Sequence, residues 1–248
     1  EVAKELVARN PDCILASGVD ILQALRQVTT TIPIVMGTID TDPVKEGLAE
    51  SLSRPGKNVT GMSGMAWELA GKRLQLLREI VPKSKRVAVI ADLRSPAAHA
   101  HLKETETAAR ALNLQLQVHS ALDADSVSQV FSAFRKAPPD ALFVISIAAL
   151  NTVSPDVVRN AAAARLPAIY STIDAVLNGG LMAYASNLDS QWSRAASYVS
   201  KIFKGAKASD LPIEQPTVFE LVVNLKAAKA IGVTIPRSIL GRADRVIE

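Results

Sequence analysis

Arg86-Val87-Ala88-Val89-Ile90-Ala91-Asp92-Leu93-Arg94-Ser95-Pro96 is the stretch from which the fold can be read. From Arg86 to Ala91 the run is almost wholly Val, Ile and Ala, the composition of a strand covered on both faces of a sheet. The polar stretch Asp92 to Ser95 ends it. Ser95-Pro96 then opens a helix that the pattern carries to Asn113, since Ser caps a helix and Pro suits its first turn. Leu114 to Val118 reads as the next strand. Strand, polar loop, helix and strand in this order make a βαβ unit, the building block of a parallel sheet.

The same grammar extends in both directions. Downstream come a helix from Asp125 to Lys136, a strand from Ala141 to Ile145, a helix opened by Ser154-Pro155 and a strand from Ala168 to Tyr170. A short helix from Ile173 to Asn178, a turn at Gly179-Gly180, a strand from Leu181 to Ala185 and a helix from Ser190 to Phe203 follow. Pro216 to Val223 reads as a strand, and Asn224 caps a short helix closed by Gly232. Upstream, Leu69, Arg73, Leu76, Leu77 and Ile80 stripe a helix that ends before Pro82. Before it lie a strand from Asn58 to Gly61, a helix starting at Asp42-Pro43, a strand from Ile34 to Met36, a helix from Asp20 to Val28 and a strand from Cys13 to Ser17. The chain opens in a helix marked by Val2, Leu6 and Val7. The sum, about nine or ten strands, is too many for one doubly wound sheet in 248 residues. Two sheets, and so two Rossmann-like α/β lobes, are expected.

Composition narrows the function. At 48% apolar residues the chain can bury a sizeable core without staples. The single cysteine, Cys13, lies in an apolar run and reads as a buried strand residue, which leaves no disulfide framework and no cysteine metal site. The net charge of +4 comes from basic residues scattered along helices, the pattern of a solvated surface and not of a nucleic-acid-binding one. No apolar stretch is long enough to span a bilayer. Glu1-Val2-Ala3-Lys4-Glu5-Leu6 has no basic segment leading into an apolar one, so it does not read as a signal peptide.

Catalytic patterns are absent: no Walker loop, no Gly-x-Gly-x-x-Gly after a strand, no Gly-x-Ser-x-Gly elbow. His99, His101 and His119 lack the zincin spacing and are expected at the surface. No catalytic residue, metal ligand or cofactor is assigned. What recurs is a small polar residue after five of the strands: Ser17 and Gly18, then Gly37 and Thr38, Asp92 and Ser95, Ser146, and Ser171 with Thr172. In open parallel sheets ligands sit beyond the carboxyl ends of the strands, where helix N-termini offer free N–H groups. Hydroxyls and amides there can hold a polar ligand but catalyse poorly without a base. Asp42 is a further candidate, although its place before Pro43 also suits a helix cap. Aromatic residues make up 4% of the chain, which argues against a sugar stacked on rings. Trp67 either walls a cleft or packs its helix; Trp192 and Tyr198 read as packing and surface residues.

Two segments add a resemblance. Asn58-Val59-Thr60-Gly61-Met62-Ser63 with Glu68 to Leu77, and Ile213 to Gly232 with Ile235-Pro236 and Arg242-Ala243-Asp244, resemble a large family of ABC-transporter substrate-binding proteins whose better-known members look like receptors for aromatic amino acids. The resemblance spans essentially the whole chain. It implies the periplasmic-binding-protein class I fold, with two lobes joined by a hinge of three crossing segments near Gly61 to Gly64, Leu181 to Ser186 and Ala208 to Pro216. The first lobe would hold 1–62 and 182–207, and the second 63–181 and 208–248. A first strand and helix ahead of Glu1 are implied as well. The loops at Ser17-Gly18 and Thr38 would hold a ligand carboxylate, and Asp42 an amino group.

These readings together predict a monomeric extracytoplasmic or periplasmic receptor, lipid-anchored or not, that takes a small polar molecule between its lobes and presents it to an ABC permease. An amino acid or aromatic acid is the expected ligand. The rival reading is the effector-sensing domain of a transcription regulator, which shares this fold.

Overall fold

The computed structural model describes residues 1–37, 39, 41–64, 66–145 and 154–248. The strands, in chain order, are β1 Ile14–Ala16, β2 Ile34–Met36, β3 Val59–Gly61, β4 Arg86–Ala91, β5 Gln115–Ser120, β6 Ala141–Val144, β7 Ala168–Tyr170, β8 Met182–Ser186, β9 Phe219–Asn224 and β10 Arg245–Ile247. The described α-helices are α1 Val2–Ala8, α2 Val19–Arg26, α3 Ala70–Ile80, α4 Pro96–Ala111, α5 Ala124–Lys136, α6 Ser154–Ala163, α7 Ile173–Leu177, α8 Leu188–Phe203, α9 Leu225–Ile231 and α10 Arg237–Leu240. None of them is long and apolar enough to cross a membrane. They divide into two compact units, Glu1–Met65 with Asn187–Val218, and Ala66–Ser186 with Phe219–Glu248.

The first unit is built on a parallel sheet in the order β1-β2-β3, with Ile14, Ile34 and Val59 in register. Alternation sends Ile14, Ile34, Met36 and Val59 to one face, where Leu22 and Leu25 of α2 cover them. Val35 points to the other face, against Ala195 and Tyr198 of α8. Cys13 falls just ahead of β1 and is half-buried beside that second cluster; burial pushes its thiol pKa up. At the end of β3, Gly61 has φ of 121°, and any Cβ there would collide with the Met36 backbone, so only glycine lets the chain leave the sheet at this point. The departing segment is tied down by Met62 N–H to the Met36 carbonyl at 2.9 Å and Ser63 N–H to the Glu214 carbonyl at 2.8 Å. Arg194 grips the Glu214 carboxylate with two bonds of 2.6 Å, and Tyr198 donates its hydroxyl to the Pro212 carbonyl at 2.6 Å. The Arg194 guanidinium and the Tyr198 hydroxyl hold the Glu214 carboxyl below its usual range.

The second unit carries a seven-stranded sheet, β10-β9-β8-β7-β6-β4-β5, parallel except where β8 meets β9. β4, β6 and β7 are buried almost throughout, as their unbroken apolar runs require, while the edge strand β5 is only partly covered. In α3, Arg73 is fully buried: its Nε donates to the Tyr184 carbonyl at 2.8 Å and its guanidinium lies 6.0 Å from the Phe143 ring. β7 pairs with β8 only at Met182 and Ala183, so the Tyr184 carbonyl, beyond the last pair, takes Arg73 as donor.

Four expectations are corrected. Met182–Ser186 belongs to the seven-stranded sheet and Ala208–Val218 to the first unit, because β8 finds its partners in β7 and β9 while Ile213 packs with Ile14 and Val59. The helix expected from Asp42-Pro43 is a set of turns: Glu46 and Leu48 N–H reach back to Asp42 and Pro43, but Gly47, at φ of 66°, turns the chain away. β9 begins at Phe219 and not at Pro216, since proline cannot donate to a ladder and this stretch remains with the first unit. His101 is buried, not exposed, because it falls on the inward stripe of α4 with Ala97, Ala98, Thr105 and Ala109, all of them buried. His99 is exposed as expected, and His119 is half-buried, edge-on to Phe134 at 5.2 Å. β10 has no counterpart in the sequence reading.

Candidate functional site

Each unit places the polar loops beyond the carboxyl ends of its parallel strands. In the first, Ser17 and Gly18 follow β1 and Gly37 follows β2; Gly37 N–H donates to the Ala16 carbonyl at 2.9 Å and locks the two loops side by side. Gly18 is the N-cap of α2, so the positive end of that helix faces the same edge. Thr38, expected beside them, lies outside the described residues.

Into this edge comes a residue from far along the chain. Trp192, near the start of α8, lays its indole against Gly37: a Cβ on Gly37 would overlap the Cζ3–Cη2 edge of the ring and approach Ser17 Oγ to 2.8 Å. Gly37 is buried, Ser17 is half-buried, and Trp192 remains 39% exposed. The sequence reading treated Trp192 as packing or surface. Only the fold brings it to Ser17 and Gly37, and the one sequence cue was a tryptophan placed early on a helix whose later turns are apolar.

Asp42 is committed to its own turn. Its Oδ1 accepts from Val44 N–H at 2.9 Å and Lys45 N–H at 3.3 Å, and Lys45 Nζ lies 3.8 Å from Oδ2. This is the capping role that the residue before a proline suggested, exercised on one turn instead of a helix.

In the second unit the strand order reverses between β4 and β6, the switch point at which an open sheet leaves a crevice at its carboxyl edge. Asp92 and Ser95 follow β4. Asp92 is buried and accepts from Arg94 three times, through backbone N–H at 3.0 Å, Nε at 3.1 Å and Nη2 at 3.0 Å. Those hydrogen bonds hold its carboxyl below the usual range. Asp92 therefore shapes its loop with its charge already paired. Ser95 is the N-cap residue of α4, half-buried, with its side chain outside the capping bond. Ser171, buried after β7, ties back through N–H to the Val144 carbonyl at 3.2 Å, and Thr172 is the half-buried N-cap of α7. Ser146 lies outside the described residues. Tyr170, just before this pair, is fully enclosed, and burial drives its hydroxyl pKa upward.

Chemically, these strand ends offer hydroxyls, backbone N–H groups, helix N-termini and, in the first unit, the partly exposed indole of Trp192. Among the described residues, no group of three or more His, Cys, Asp or Glu is placed to hold a metal ion.

Known proteins are similar to this chain in sequence and fold. The chain is 26% identical over 230 residues to a tyrosine-binding protein of Clostridioides difficile, covering 93% of this chain and 66% of that protein. A conserved domain protein of Vibrio cholerae superposes with a TM-score of 0.90 at 26% identity, covering 99% of this chain and 81% of the other. An ABC domain from Streptococcus pneumoniae, solved in complex with L-Trp, superposes with a TM-score of 0.89 at 25% identity, covering 99% and 82%. Residues 1–247 match the family described as ABC transporter substrate binding protein, and the chain belongs to that family.

Proposed function

We propose that this protein is the solute-binding component of an ABC importer. It works outside the cytoplasm, hands its ligand to a membrane permease, and takes an amino acid or an aromatic acid without reacting on it. One observation carries the reading: in both units, small hydroxyl or glycine residues and helix N-caps lie at the carboxyl ends of parallel strands, a surface suited to binding a polar ligand. The two units serve as the lobes. Ser17, Gly18 and Thr38 would receive the ligand carboxylate, Ser95, Ser146, Ser171 and Thr172 would contribute the loops of the second unit, and Asp42 and Asp92 would shape the turns of their own loops. The kinship with a tyrosine-binding protein and with a domain solved with L-Trp supports an amino acid over a sugar.

Thermal unfolding in the presence of L-tyrosine, L-tryptophan, L-phenylalanine, aliphatic amino acids, aromatic acids and sugars tests this. A ligand at a hundred times its Kd stabilises the native state by about 2.7 kcal/mol. For a chain of this size that raises Tm by roughly 5–10 °C. A rise confined to amino acids or aromatic acids is expected. A rise with sugars alone, or with nothing in the panel, would overturn the assignment.

A further inference from the structure

We propose that Trp192 is the specificity-determining residue of the first unit, an aromatic platform on which a planar ligand ring stacks. The inference rests on the amino-acid receptor reading above and adds to it the feature that selects an aromatic side chain over an aliphatic one.

The geometry is specific. The indole edge occupies the space a side chain at Gly37 would fill, so the absence of a Cβ there is what seats the ring. Gly37 is bonded through its N–H to the Ala16 carbonyl, which ties the seat to the end of β1, and Ser17 Oγ borders the same space beside Gly37. One part of the indole is therefore pinned to backbone, while 39% of the residue stays open to solvent at the strand ends. A tryptophan that served only as packing would gain by burying its ring, as Tyr198 does one helical face away with no exposed surface. An indole with one edge seated on backbone and part of its surface open to solvent offers a π system with little entropy left to lose, and offset stacking favours planar rings on it. Aliphatic ligands would gain contact area from it but no stacking.

The test compares wild type with Trp192→Leu, Trp192→Phe and Gly37→Ala, titrating each with L-tyrosine, L-tryptophan and L-leucine by calorimetry. Trp192→Leu keeps an apolar cover over Gly37 and removes the π face. It is expected to weaken the two aromatic amino acids by roughly three- to tenfold while changing L-leucine by less than about twofold. Trp192→Phe restores part of the loss. Gly37→Ala displaces the indole and is expected to act like Trp192→Leu although residue 192 is unchanged. As a readout independent of affinity, Trp67→Phe leaves Trp192 as the sole tryptophan, and L-tyrosine is expected to change its fluorescence on binding. Should wild type bind L-tyrosine or L-tryptophan and Trp192→Leu, shown by its melt to be folded, keep the same preference over L-leucine, the platform is refuted and the receptor reading stands. If wild type binds neither L-tyrosine nor L-tryptophan, the platform is refuted, while the receptor reading is decided by the wider panel above. Fluorescence of the Trp67→Phe protein that stays constant under saturating L-tyrosine also counts against the platform.

Discussion

Asp140 stands one residue ahead of β6, and its Oδ2 accepts from the Lys85 and Arg86 N–H groups, both at 2.8 Å, where β4 begins. Those two donors hold its carboxyl below the usual range, with Arg86 adding a weaker attraction at 3.7 Å. The unfolded carboxyl titrates near about 3.9. The folded one titrates lower, so its stabilisation is complete above that value and disappears as pH falls through the folded pKa. Asp140→Asn keeps an acceptor but removes the charge. It is expected to lower stability by about 1 kcal/mol at neutral pH and to flatten the acid side of the stability curve, measured by urea unfolding between neutral pH and the acid limb. Equal acid slopes for the two proteins would refute the role. At this scale the sequence was informative about loops and poor about partners. Ser17, Gly18, Ser95 and Thr172 could be placed at strand ends because strand ends follow from hydrophobic runs. The seat of Trp192 on Gly37, and the burial of His101 among alanines, depend on which residue a fold brings opposite, and periodicity carries no such information.

Among elements, long apolar strands were legible and short connections were not. β4 and β6 announce themselves because every residue in them after Arg86 is buried, whereas β10, with two of three residues exposed, leaves no pattern to read. The segment after β2 shows how a local rule can hold while its element fails. Asp-Pro starts a turn there, Asp42 caps it, and Gly47 ends it before a second turn forms. With its Oδ1 already accepting two backbone N–H groups, Asp42 is better placed to fix the loop than to meet an ammonium group. Asp42→Asn retains that acceptor and should leave both Tm and amino-acid affinity nearly unchanged. Asp42→Ala removes it and should cost about 0.5–2 kcal/mol, as loss of a cap does. Thermal melts and calorimetric titrations of the two variants separate the roles, since a large loss of affinity in Asp42→Asn alone would make Asp42 a ligand contact.

At the scale of the molecule, the chain passes between its two units three times, at 65/66, 186/187 and 218/219. Neither unit is contiguous, as the family resemblance implied with its three crossings; what differs is β8, expected in the first unit and paired within the second sheet. The register of β8 against β9 makes the second unit separable nonetheless. Ser186 lies directly opposite Phe219 and Met182 opposite Val223, so the two strands already form the arms of an antiparallel hairpin whose connection happens to be Asn187–Val218. Replacing that connection with Asn-Gly, the pair best suited to a two-residue hairpin turn, closes the arms with no change of register. The joined chain, 66–186 followed by Asn-Gly and 219–248, is expected to unfold in one cooperative transition by circular dichroism. Residues 66–186 alone would leave Met182 and Ala183, fully buried in the intact protein, without the cover of Val222 and Val223, and should show no such transition. The joined unit also lacks Ser17, Gly37 and Trp192, so it should fold yet lose measurable affinity for L-tyrosine. A joined chain that cannot fold would mean that the second unit depends on the first for stability, and one that binds L-tyrosine as tightly as the whole protein would remove the first unit from recognition.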